Sequence, residues 1–153
     1  MHIMELRRAY DDFLAEVDAG GFGPPPPGEW TAEQIVAHVA VNDSLLCAAT
    51  EAVLGGHSRP YYNHDSIDDA QLNAVIKDYP DLASLAVLVR AGGQRLCQLA
   101  ERLDAHRAET PVHTHIRDGE VVRVDQLLPW ARVIGLHRRL HLPAHANQLR
   151  ALR

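Results

Sequence analysis

Lysine is nearly missing from this chain: of 153 residues, only Lys77 carries an ammonium group. Lys and Arg together number 15 against 20 Asp and Glu, a formal charge of −5 with histidine neutral. No basic face is therefore available to follow a phosphate backbone, and nucleic acid is not an expected partner. Cysteine is equally scarce. Cys47 and Cys97 stand apart, each inside an apolar helical pattern, and are expected to be buried thiols in a reducing cytoplasm with no disulfide between them. No apolar run reaches the ~18 residues of a membrane span. The first residues, MHIMELRRAYDDFL, carry charge where a secretory signal needs an unbroken apolar segment. These absences predict a cytoplasmic protein with no membrane partner. What remains is 46% apolar and 23% charged, the balance of one globular domain over residues 1–153.

Helical periodicity dominates. Ile3, Leu6, Tyr10, Phe13 and Val17 recur at steps of 3 and 4 and predict a first helix over His2–Asp18. Gly20, Gly21 and Gly23 stop it, and Pro24–Pro27 impose an extended spacer. Thr31, with Gln34 three residues on, forms a capping-box signature for a second helix running to Leu54. Its inner stripe is Ile35, His38, Asn42, Leu45, Ala49 and Ala52, so two polar side chains fall where core is expected. Unpaired there, each would cost ~1–3 kcal/mol.

A polar loop at His57–Asp65 leads to a short helix at Asp68–Tyr79. Leu82, Leu85, Val89, Gly92, Leu96, Leu99 and Leu103 then mark a long helix. Gly92 sits on the stripe itself, which predicts close approach of a neighbouring helix, with a kink as the alternative. Val112–Ile116 and Val121–Asp125 flank Arg117-Asp118-Gly119-Glu120 and predict a β-hairpin, on which His113 and His115 are exposed. Asp125 is expected to cap the last helix, with Pro129 in its first turn. His2, His57, His64 and His106 are expected on the surface. The fold class expected is all-α: an up-and-down four-helix bundle with a crossover, a short extra helix, and a small hairpin before the last helix.

The last helix carries the chemistry. Three of the ten histidines, His137, His141 and His145, fall within nine residues at intervals of four. On an α-helix each such step slips ~40° around the axis, so neighbouring imidazoles can share one ligand. A neutral imidazole offers one nitrogen lone pair, and three of them leave a metal ion with open positions. His38, on the inner face of the second helix, is placed to join them. Spacing alone leaves open which two of the ladder would take part, because Pro143 should bend the helix between His141 and His145.

Trp30-Thr31 opening a helix, with His38 eight residues after the tryptophan, resembles the second helix of the DinB-like (YfiT-like) bundle proteins. His141-Leu142-Pro143-Ala144-His145-Ala146-Asn147-Gln148 is similar to that family's His-x-x-x-His-x-x-Gln signature. The resemblance implies a four-helix bundle in which His38, His141 and His145 hold a divalent metal, zinc or nickel, with Gln148 beside them on the helix face. The set His38, His137 and His141 stands as the alternative. It further implies a metal-dependent thiol S-transferase or hydrolase, joining a low-molecular-weight thiol such as bacillithiol or mycothiol to a small electrophile. A non-catalytic metal- or ligand-binding bundle is the alternative, and a homodimer is among the assemblies left open. The residues themselves show no Ser-His-Asp or Cys-His nucleophile pattern. Asn42 and Asp43 are the nearest polar groups to His38, and Asn42 is expected to bond a ligand or water.

Overall fold

The computed structural model describes residues 2–153. Four long helical rods make the body of the protein: α1 (Ile3–Ala19), α2 (Ala32–Leu54), α4 (Leu82–Glu101) and a composite last rod. A short α3 (Asp69–Asp78) and the single turn α5 (Ala105–Ala108) are minor additions. The last rod runs without interruption through α6 (Trp130–Leu136), a π-helical turn (His137–His141) and α7 (Leu142–Arg150). α1 packs against α4 and α7, and α2 against α4, so the consecutive helices α1 and α2 lie diagonally across the bundle. The proline spacer makes that crossing. The core between the rods is mostly aliphatic, with Leu6, Phe13, Ile35, Leu46, Leu85, Leu96, Leu99, Ile134, Leu142, Leu149 and Trp130 fully buried.

Local chemistry explains where the rods begin and end. The Thr31 hydroxyl accepts from the Gln34 amide at 3.2 Å while the Gln34 side chain accepts from the Thr31 N–H at 3.0 Å, closing the expected capping box. Asp81 and Ser84 form a second one at the start of α4. Asp68 caps α3, its carboxylate accepting from the Ala70 N–H at 3.2 Å. Helix α4 runs unbroken through Gly92-Gly93, so the glycines serve close approach and not a kink.

The hairpin is larger than the β-branched runs imply. β2 (Pro111–Asp118) and β3 (Val121–Pro129) pair antiparallel along their whole length, and β1 (Tyr61–Tyr62) adds a parallel third strand beside Thr114 and His115. Asp125 is consequently inside β3, where its carboxylate accepts from His113 Nε2 at 2.7 Å, and it does not cap the last helix. That helix has Pro129 at its N-cap with no side-chain cap. The misplacement arises because Gln126-Leu127-Leu128 still alternates as strand, with Leu128 buried and Leu127 exposed. The loop expected at His57–Asp65 likewise holds β1 and the start of a 3₁₀ turn (His64–Ile67).

At Gly93 an added methyl would stand 2.7 Å from the Tyr10 ring. Gly93→Ala should therefore destabilise the protein by about 1–3 kcal/mol through overpacking, outweighing the ~1 kcal/mol that alanine ordinarily adds in a helix. Urea unfolding measures the sign, and a stabilised variant would refute the contact.

Candidate metal centre

Two rods meet at a polar point in this apolar interior. His38, on the second turn of α2, and Asn42 and Asp43 beyond it are all buried. Facing them, the last rod brings His137 (buried) and the half-buried His141 and His145. The π turn is what aligns these three. Two α-helical steps of four residues would fan them over ~80°. The wider turn between His137 and His141 takes back part of that drift. It is closed by the Leu142 N–H bonding the carbonyl of His137, five residues back. Pro143 follows immediately, at the start of α7. It has no N–H to donate, and its ring would press on the carbonyl four residues back in a regular α-helix. Widening the turn ahead of it gives the ring room. The proline thus distorts the ladder without breaking the helix, and all three imidazoles stay on one side.

His38, His141 and His145 come together: one ring nitrogen from each lies within 4.8 Å of the others, a cluster able to hold a metal ion. His38 Nδ1 is 2.6 Å from the Ser66 carbonyl oxygen. A carbonyl only accepts, so Nδ1 carries the hydrogen and Nε2 the lone pair. That lone pair faces His141 Nε2 at 2.8 Å. His145 Nδ1 bonds the Gln148 side-chain oxygen at 2.8 Å, which leaves its Nε2 free in the same way. This is the arrangement metal-ligating histidines use, with one nitrogen tied to an acceptor and the other open.

Burial, with nearby imidazoles adding to it, pushes His38 down to about 3 and His137 down to about 3. It holds His141 well below the ordinary histidine range, and lowers His145 against the opposing bond from Gln148. The four rings are therefore neutral at pH 7, the state in which an imidazole can coordinate. The donor set fits a divalent ion.

His137, the alternative ligand, adjoins this cluster without joining it. Its Nδ1 lies 2.9 Å from His141 Nδ1 and its Nε2 2.8 Å from the Tyr10 hydroxyl, so both nitrogens are engaged. The Asn42 side-chain oxygen accepts from the Tyr61 hydroxyl. Asp43 reaches Tyr10, at 2.6 Å. By its spacing Tyr10 belongs to the apolar stripe of α1, and only its hydroxyl hints at more. Of the histidines expected on the surface, His2, His57 and His106 are exposed, whereas half-buried His64 bonds His115 Nδ1 at 2.7 Å. His113 is half-exposed between Tyr62 and Asp125.

Two cavities open on the cluster and share His38, Asn63, Ile116, Asp118 and His141 in their walls. One, of about 590 Å³, is bordered by Trp30, Arg117, His145 and Gln148. The other, of about 490 Å³, is bordered chiefly by Leu46, Tyr61, Val124, Val133, Leu136 and Leu140. Arg117 forms no ion pair among the described residues, and its Nε is buried without a hydrogen-bond partner.

Fold and site together define a class: a helical bundle whose facing rods supply three histidines able to hold a metal ion. The chain belongs to the DinB superfamily, whose family model matches residues 3–143, including His38 and His141 and ending just before His145. Among solved structures it resembles the mycothiol-dependent maleylpyruvate isomerase, with 19% identity and a TM-score of 0.72. A histidine-to-alanine mutant of that enzyme matches at 18% identity and the same TM-score. Each match covers 96% of this chain but 58% of the other, so the chain spans less than two thirds of those enzymes' length. Comparison with curated proteins finds no match.

Neutral buried histidines make acid costly. His38 and His137 are near 3 when folded against an ordinary value of 6.5. Between those limits the unfolded chain binds more protons, so stability rises with pH. In metal-free protein this contribution should be complete above the ordinary value and fall by up to ~1.4 kcal/mol per pH unit per histidine as pH drops towards 3. Chemical unfolding at stepped pH measures it. A flat profile between pH 6 and 4 would show that these rings are not buried neutral.

Proposed function

We infer that the protein is a metal-dependent enzyme that joins a low-molecular-weight thiol to a small electrophile, with His38, His141 and His145 holding zinc or nickel. The observation that carries this is the convergence of imidazoles whose other nitrogens are already committed, His38 to Ser66 and His145 to Gln148. When bound there, a divalent ion supplies Lewis acidity, lowering the pKa of a thiol or water in its open positions. The thiol-dependence named for the solved relatives supports the choice of a thiol over water, with hydrolysis as the neighbouring reaction.

The two cavities suit two reactants meeting at one centre. The larger, with Trp30, Arg117 and Gln148 on its walls, accommodates a polar thiol bearing a carboxylate for the unpaired guanidinium. The smaller, walled by aliphatic side chains, accommodates the apolar part of an electrophile. Trp30 leans against His38, with ring centroids 5.0 Å apart and the planes tilted by 39°, and donates its indole N–H to Asp69 at 3.1 Å. Those contacts hold it as a rigid wall.

Protein purified without a histidine tag should contain about one divalent ion per chain, lost in His38→Ala and His141→Ala. The loaded protein should consume a thiol and a haloaromatic electrophile faster than either variant. Stoichiometric metal without turnover would leave a non-catalytic metal-binding bundle. No metal in the wild type, and no change on His38→Ala, would overturn the assignment.

A further inference from the structure

Behind the converging imidazoles runs a row of polar groups embedded in the bundle core. His141 Nδ1 lies 2.9 Å from His137 Nδ1, His137 Nε2 lies 2.8 Å from the Tyr10 hydroxyl, and that hydroxyl lies 2.6 Å from Asp43 Oδ1. The row starts on the last rod, crosses to α1 and ends on α2. Each contact holds one hydrogen, so fixing one fixes them all. Burial pushes the Asp43 carboxyl well above its ordinary range against the opposing bond from Tyr10, and a cation at the far end of the row favours its ionised form. Ionised, it accepts from the Tyr10 hydroxyl, and Tyr10 must then accept from His137 Nε2–H. His137 Nδ1 then has the lone pair and accepts from His141 Nδ1–H. His141 is left with a bare Nε2, aimed at His38 Nε2. Filled in the opposite sense, the row ends with a hydrogen on His141 Nε2, which closes that nitrogen to a cation.

We propose that Asp43, Tyr10 and His137 are positioning residues of the metal centre, a relay that holds His141 as its Nδ1–H tautomer and keeps its Nε2 open. The proposal rests on the metal assignment above. It completes a pattern, because each of the three ligands then has its own orienting partner: the Ser66 carbonyl for His38, the Gln148 amide for His145, and the relay for His141.

Two further observations support it. The neighbouring helix α4 gives up two side chains where the relay stands. A Cβ on Gly92 would lie 3.1 Å from the Asp43 Cβ and 3.2 Å from Oδ2, and one on Gly93 2.7 Å from the Tyr10 ring. Helix-interior glycines are costly, at ~1 kcal/mol each, so two in succession against these two residues mark a fitted site. Asp43 is also fully buried with Oδ2 lacking any partner among the described residues. A buried carboxylate satisfied on one oxygen is a poor stabilising device, and apolar residues would fill the space at less cost. Linked through three hydrogen bonds to a cation, it has an electrostatic purpose.

Zinc affinity by chelator competition, together with the nitrogen chemical shifts of the His141 ring in the zinc-loaded protein, tests the relay. The variants are Asp43→Asn and Tyr10→Phe, with melting of the zinc-free proteins as the control for folding. Wild type should bind one zinc with His141 protonated at Nδ1. Each variant should bind 10- to 100-fold more weakly, the usual penalty for losing a ligand's orienting partner, with His141 distributed over both tautomers. Asp43→Asn keeps the shape but can turn either its oxygen or its NH2 to Tyr10, so the row can fill in either sense, and this variant decides the matter if Tyr10→Phe does not fold. Folded variants with wild-type affinity and an unchanged His141 tautomer would overturn the relay while leaving the metal centre intact. A wild type that takes up no zinc, matching a His141→Ala control, would overturn both.

Discussion

The arrangement depends on one meeting, that of His38 Nε2 and His141 Nε2 at 2.8 Å across the seam between α2 and the last rod. At least one of these nitrogens is a bare lone pair, because His38 spends its hydrogen on Ser66. Two imidazoles brought together in this way need a hydrogen or a cation between them: neutral His141 supplies the hydrogen as its Nε2–H tautomer and leaves room for a cation as its Nδ1–H tautomer. Much of the surrounding structure serves to hold that meeting in place. The 3₁₀ turn presents the Ser66 carbonyl, the capping box sets the phase of α2, and the π turn sets the phase of the facing histidines.

The π turn shows how a local defect in helix chemistry becomes part of a site. Proline within a helix is ordinarily a cost, through a lost donor and a ring pressed on the preceding turn. Here the wider turn relieves the ring and also moves the histidines. His141 and His145 are brought to His38, while His137 is set one layer deeper, against Tyr10. Turn geometry thus decides which two of an evenly spaced ladder stand beside His38. Spacing in the sequence could not have settled it, since a π turn leaves no periodic mark in the residues.

What the sequence made legible is what repeats or caps. The stripes of α1, α2 and α4, the Thr31–Gln34 box and the Asp-Gly turn of the hairpin each follow from local rules, and the structure bears them out. His38 could be placed on the inner face because that face repeats at steps of 3 and 4. The glycine at position 92 announced a close approach, though not the carboxylate that approaches it. Beyond reach were features that need a partner distant in sequence. β1 is two residues long and exists only because Thr114 and His115 lie beside it. Asp125 is an ordinary cap residue that the strand claims instead. Tyr10 and Asp43, on different helices, become one polar unit only when the bundle closes.

The sheet, peripheral to the bundle, shapes access to the centre. Ile116 and Asp118 of β2 stand in the walls of both cavities, with Arg117 on the polar side and Val124 of β3 on the apolar side. Asn63 anchors this edge, its amide donating to the Arg117 carbonyl at 2.9 Å and its side-chain oxygen accepting from the Arg117 N–H at 2.9 Å. The paired bonds fix the backbone at the point where the β2–β3 register shifts, between Ile116 and Arg117. A shift of this kind re-aims side chains, and here Arg117 borders one chamber alone while Ile116 and Asp118 on either side of it border both. The division of labour is therefore physical. The rods supply the clustered histidines, and an irregular strand supplies part of the walls around them.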